Sequence, residues 1–197
     1  MADRLRTAGV TVSTILGHAL VVSDMYRLGE RFLDTEQSRR LSRYQDAEQY
    51  GNRSDILIQH IARMSPEQQA RNQVSLSEAL RVIKALHDGN VNLVPGTDSN
   101  TEYAIAGMAL HEEMELLIAA GLSPYEVLRT ATVNSARLLE SLDHQGTIEV
   151  GKDANLILVA ENPLDGIVTL RTPTGVMVNG RFLGAKELEA MRLARGL

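Results

Sequence analysis

The stretch 78-EALRVIKALHDGNVNLVPGTDSN-100 decides the fold class. Leu80, Val82, Ile83 and Leu86 recur at the three-to-four-residue spacing of one helical face. Gly89 and Asn90 end that pattern, because both tolerate the left-handed backbone on which helices stop. VNLVP then reads as a short strand. The same order opens the chain: 2-ADRLRTA-8 reads as a helix stopped by Gly9, and 10-VTVSTIL-16 as a β-branched strand. Helix, glycine, strand, repeated, is the pattern of an α/β protein with parallel strands.

Beyond the second strand, Gly96 gives the backbone room to turn and delivers Asp98 between Thr97 and Ser99. Ligands of parallel α/β folds gather at the carboxyl ends of the strands. Local sequence leaves two readings of Asp98, a turn former or helix N-cap, or a carboxylate held out for chemistry. A helix is expected over 103–120, closed by Gly121. Ser123-Pro124 starts another, since proline suits the first helical position, and it runs to about Ala131. Asn134 is expected to cap a third over 135–142. Residues 24–72 are polar: 25-MYRLGERFL-33 and 54-SDILIQHIARM-64 read as helices, and 34–54 as an exposed helix or loop with a solvated charge run. From Gly146 the period shortens, and TIEV (147–150), NLILVA (155–160) and GVMV (175–178) read as strands. Asn179-Gly180 is a two-residue hairpin signal, and 185–196 reads as an amphipathic helix.

Composition narrows the function. The 197 residues are 44% hydrophobic and 23% charged, enough for a globular core. A net charge of −5 argues against nucleic acid as a partner. No apolar run approaches the roughly 18 residues of a membrane span. Asp3 and Arg6 break up MADRLRTAGV before any apolar signal-peptide region forms. The absence of cysteine excludes disulfides, thiolate metal sites and a cysteine nucleophile, and fits a reducing cytoplasm. The Asn52-Arg53-Ser54 sequon therefore reads as accidental. Aromatics at 4%, with no tryptophan, leave little for stacking on bases or sugars.

Four blocks in order carry a resemblance: VPGTDSN (94–100), GMALHEEMELLIAAGLSPYEVLRTATVNSARLL (107–139), GTIEVGKDANLILVAENPL (146–164) and VMVNGRFL (176–183). Together they resemble the C-terminal part of the metal-dependent amidohydrolase superfamily, in its imidazolonepropionase-like and Xaa-Pro dipeptidase-like branch. RTAGVTVSTIL (6–16) is similar to the step into strand seven, with Ser13 where many relatives have proline. Asn155 stands where relatives usually have aspartate. The likeness covers 90–183 densely and 1–16 loosely. It implies the last quarter of a TIM (β/α)8 barrel, strands seven and eight with their helices, over 1–142. Part of a β-sandwich over 143–184 and a C-terminal helix over 185–197 would follow.

The resemblance also implies a chemistry. One or two divalent metals, zinc foremost, would activate a water to attack a carbon–nitrogen bond in a small molecule, such as a cyclic amide or a prolyl dipeptide. The strand-eight aspartate, carried over to Asp98, would bind metal and move the proton. A carboxylate suits both tasks, one oxygen ligating while the other accepts the proton of the bound water and passes it to the departing amine.

The remaining ligands of that family are a His-x-His on strand one, a lysine or carboxylate on strand four, and histidines on strands five and six. None of His18, His60, His87, His111 and His144 matches them, and no two are one residue apart. His60, His87 and His144 read as structural or exposed. His18 follows the first strand, where the family has no ligand. HEEME (111–115) begins like a zinc-peptidase H-E-x-x-H, but Glu115 stands in the fifth place, and two ligands do not make a zinc site. His111 is expected to order the start of its helix. A complete barrel takes eight strands and usually about 250 residues. The expectation is a C-terminal portion, inactive alone, that needs the missing N-terminal part or forms a homo-oligomer. The alternatives are a non-catalytic interaction module using open strand edges, or one half of a split enzyme.

Overall fold

Both helix–strand steps form where the pattern puts them, but the first strand ends at Thr14 and the expected strand residue Leu16 opens the next helix. The computed structural model describes residues 1–28, 59–68, 76–99, 104 and 106–194. Helix α1 (Ala2–Thr7) ends at Ala8, and Gly9 at φ 66° turns the chain into β1 (Thr11–Thr14). Helix α2 (Leu16–Leu28) follows, and after it α3 (Leu76–Asp88) leads into β2 (Asn92–Pro95). The left-handed residue closing α3 is Asn90, at φ 55°. Gly89 serves another purpose: a Cβ there would run into the Ala2 side chain, so glycine lets α1 sit on the end of α3.

Strands β1 and β2 pair in parallel, from Thr11 opposite Asn92 to Thr14 opposite Pro95. The Gly96 N–H donates to the Thr14 carbonyl at 2.7 Å, which extends the ladder past β2. Peptide groups alternate in direction along a strand. The backbone nitrogens of Ser13 and Pro95 consequently face the outer edges, away from this pairing. Proline at 95 costs no bond between the two strands, and proline at position 13 would cost none either.

Helix α4 (Met108–Ala119) begins after Gly107 (φ 85°), five residues later than expected, with 103 and 105 outside the described residues. Helix α5 (Pro124–Arg129) opens on Ser123 in a full capping box with Glu126. Glu126 also meets His87 Nε2 at 3.1 Å, which ties α5 to α3. The expected break at Asn134 is absent. Asn134 is helical (φ −69°), and α5 runs through a π-helical turn, Thr130–Asn134, into α6 (Ser135–Leu138). The side chain of Asn134 is used elsewhere, donating to the Leu93 carbonyl at 3.1 Å.

The core fills the angle between the parallel pair and these helices. Leu86, Val91, Leu93, Met114, Leu117, Leu122 and Val127 pack together, with Leu117 and Val127 fully enclosed. The tail contributes to it through a 3-10 turn, Ile167–Arg171, which buries Ile167 and Leu170 in the same cluster.

Strands β3 (Leu156–Leu158), β4 (Gly175–Val178) and β5 (Arg181–Gly184) form an antiparallel sheet in that order. The β4–β5 turn has both central residues left-handed, Asn179 at 48° and Gly180 at 79°, as the type I′ signal requires. Asn155 Oδ1 accepts from the Asn179 N–H at 2.8 Å. An aspartate oxygen could do the same, so the departure from aspartate at 155 leaves the hairpin its partner. The TIEV segment is not a strand. Lys152 Nζ donates to the Leu142 carbonyl and Thr147 Oγ1, folding 142–152 into a turn that leaves Ile148 86% exposed. A β-branched run becomes a strand only against a ladder partner and a packed face, and among the described residues it has neither. β3 shortens to three exposed residues. Helix α7 (Ala185–Leu193) ends the described chain. The helix expected over 25–33 is seen only to Leu28, and that expected over 54–64 is helix at 59–62 and turn and bend at 63–64; residues 29–58 lie outside the described residues.

Candidate active site at the carboxyl ends of the parallel strands

Asp98 stands exposed, three residues past β2. Its backbone is left-handed, at φ 47°. That conformation costs most side chains roughly 1–2 kcal/mol, and aspartate is one of the few that visits it. Such residues concentrate at functional sites, where surrounding structure holds them. Gly96 contributes differently from the expected sharp turn: its φ is not left-handed, and its lack of a side chain lets the end of β2 press against Ser13 and the Thr14 carbonyl. Beyond it, Thr97 Oγ1 and Ser99 Oγ meet at 2.7 Å across Asp98.

The ledge beneath this loop is pinned from three sides. Thr14, buried, donates its hydroxyl to the Val94 carbonyl at 3.3 Å. Asn134 holds the Leu93 carbonyl from the opposite edge. Glu113 of α4 is 1% exposed, and its two oxygens accept the N–H groups of Leu16 (3.0 Å) and Gly17 (2.8 Å). Those amides open α2, so a buried carboxylate sits at the positive end of the helix that follows β1. Sequence reasoning missed Glu113, although a signal was present. It lies four residues from both Ala109 and Leu117, on the buried face of α4, and a charged residue at that spacing must have a partner.

The histidines are scattered. His18 lies in the first turn of α2, and its Nδ1 is buried with no hydrogen-bond partner among the described residues. His60 is exposed and helical, His144 is exposed, and His87 belongs to the capping network of α5. His111 does not order the start of its helix, which has no side-chain cap. It faces the tail, where Arg171 Nε donates to Glu115 Oε1 at 2.6 Å. Among the described residues, no three His, Asp or Glu side chains come together as a metal would need.

Burial first, then the positive Arg171, hold the His111 imidazole below the usual histidine value, against an opposing pull from Glu115. The fold thus favours neutral His111. Its contribution to stability is fully present above about pH 6.5, the unfolded value, and is lost as pH falls through the lower folded value. Melting from pH 8 to pH 5 is expected to show a steeper loss for wild type than for His111→Gln. Parallel curves would refute the assignment.

A family model described as the amidohydrolase family matches residues 38–183. Three solved structures show the extent of the likeness. A bottromycin amidohydrolase aligns at a TM-score of 0.67 over 95% of this chain and 40% of its own, with 24% identity. Another amidohydrolase aligns at 0.60 over 93% and 36%, with 25% identity. A candidate prolidase from Bifidobacterium longum aligns at 0.53 over 64% and 31%, with 29% identity. This chain spans at most 40% of the length of each. No curated protein matches it.

Proposed function

The chain belongs to the amidohydrolase family, and on that premise we propose that it is the C-terminal part of a hydrolase of carbon–nitrogen bonds. The bonds would be those of small amides, cyclic amides or prolyl dipeptides. The observation that carries this reading is Asp98, an exposed carboxylate in a left-handed backbone just beyond the carboxyl end of a parallel strand. In this reading β1 and β2 are strands seven and eight of a (β/α)8 barrel, and β3–β5 are part of a β-sandwich. Asp98 would accept the proton of the attacking water and return it to the leaving amine.

Asp98 also suits a divalent metal, zinc foremost, to which it would give one oxygen. A catalytic zinc takes about three protein ligands, and the described residues do not bring that set together. They do not fit a metal by themselves, and we place the remaining ligands in a missing N-terminal part or a partner chain. The chain alone is inactive in this proposal. Its cysteine-free composition suits the cytoplasm, and no helix among the described residues is long and apolar enough to cross a membrane.

Elemental analysis after dialysis tests the proposal on the 197-residue chain. Wild type and Asp98→Ala are both expected to retain no zinc. About one zinc per chain, lost in Asp98→Ala, would overturn the claim of an incomplete site. In any longer or complemented form that hydrolyses prolyl dipeptides, Asp98→Asn is expected to abolish turnover, and unchanged turnover would remove Asp98 from the reaction. A non-catalytic interaction role is the second reading, favoured by the exposed side chains of Leu156, Ile157 and Leu158 on β3.

A further inference from the structure

Helix α5, the π-helical turn and α6 follow one another without a break, and the wide turn between them decides which side chains share a face. In an unbroken α-helix, residues eight apart are rotated roughly 80° from one another. One π turn inserts a residue into the helical ladder, so residues eight apart across it are rotated by only about 20°. Arg129 is the last residue before the turn Thr130–Asn134, and Arg137 follows it in α6. The turn therefore sets both arginines on one line, about 10 Å apart along the axis. Ser135 secures the turn, its hydroxyl donating to the Thr130 carbonyl five residues back at 2.7 Å.

A cavity of about 610 Å³ lies against that line, with Arg129, Val133 and Arg137 along one wall. Its volume is in the range of small-molecule sites, roughly 300–1,000 Å³. The other wall is the turn 142–152, which contributes Asp143, Glu149 and Lys152. Lys152 ties this wall together: its Nζ donates to the Leu142 carbonyl at 2.7 Å and lies 3.8 Å from the Glu149 carboxylate. Glu149 thereby offsets the lysine, and of the described lining residues Asp143 is the remaining acid against two arginines. Positive charge is in excess. The Arg129 guanidinium also stands over the Tyr125 ring, 5.8 Å from its centre, which steadies its planar fork.

We propose that this cavity binds a small dianion, a phosphate group or a dicarboxylate, between the forks of Arg129 and Arg137. A guanidinium meets the paired oxygens of either anion with two parallel N–H bonds, which a point charge such as lysine cannot match. None of the described lining residues belongs to the loop of Asp98, so the site neither needs nor tests the hydrolytic reading.

Inorganic phosphate and malonate test it, titrated separately into the full chain at constant ionic strength. Binding is followed by nuclear magnetic resonance at the amides of Thr147 and Gly151, which line the cavity. The expected result is saturable binding, weakened about tenfold or more in Arg129→Gln and in Arg137→Gln. Arg181→Gln, on β5 and outside the cavity, should leave it unchanged. Tighter phosphate points to a phosphorylated ligand, and tighter malonate to a dicarboxylate. Moving the charge tests the alignment: Arg137→Gln with Leu138→Arg turns the guanidinium away by roughly 100° and should not restore binding. No saturable binding of either anion, wild-type affinity in Arg137→Gln, equal weakening in Arg181→Gln, or recovery in the double variant each overturns the proposal. If glutamine at 129 disturbs folding, Arg137→Gln decides alone, because Arg137 is exposed.

Discussion

Glu113→Ala is expected to lower folding stability by about 3–5 kcal/mol, a large share of the roughly 5–15 kcal/mol by which native domains are stable. The wild-type carboxylate is almost completely withdrawn from water, which is costly. It is compensated by two charge-assisted hydrogen bonds, from the amides of Leu16 and Gly17 at the positive end of α2. Alanine removes both acceptors and leaves two helix-opening N–H groups without them, along with a cavity beside Met114 and Leu117. Leucine would fill the space but not satisfy the amides, so it should not rescue. Glutamine keeps the shape, yet its one carbonyl oxygen can serve only one amide while its NH2 confronts the other; about 1–3 kcal/mol is expected. Urea unfolding of wild type and the three variants checks the order, with glutamine least affected. A leucine variant as stable as the glutamine variant would mean that volume, and not the two bonds, explains the burial of Glu113.

Gly96→Ala is the second large effect, about 2–4 kcal/mol. An added Cβ would strike Ser13 Oγ and come within 2.5 Å of the Thr14 carbonyl oxygen. A serine side chain can rotate away, but the carbonyl belongs to the ladder and accepts the Gly96 N–H at 2.7 Å. The strand ends would have to part just where Asp98 leaves the sheet. Ser13→Ala should therefore rescue Gly96→Ala only in part. Full rescue would show that the backbone contact is soft, and an unaffected single variant would show that the two strand ends are not in close contact in solution. The closeness that excludes a side chain at 96 also sets where Asp98 leaves the strand end.

Local rules were enough for some features and not for others. The two helix–glycine–strand steps, the Ser123 capping box and the Asn179-Gly180 hairpin depend on residues within a few positions of one another, where propensity and turn chemistry act directly. TIEV shows the limit. Its residues are good strand formers, but Lys152 draws the segment into a turn and none of the described residues supplies a ladder. Asn134 looked like a cap for the same local reasons, and a carbonyl 41 residues earlier claims its amide instead.

From sequence alone came the α/β class, the two strand ends, the loop that carries Asp98 and the resemblance to the amidohydrolase family. All of these are written in short-range pattern or in ordered blocks of residues. Tertiary structure alone decided that Gly96 is needed for close approach, that Asp98 itself takes the left-handed backbone, and that Glu113 closes the start of α2 from 96 and 97 residues away. The physical reason is common to all three. Steric exclusion between strands and the partner of a buried charge depend on which groups folding brings within a few ångströms, and separation along the chain carries no record of that distance.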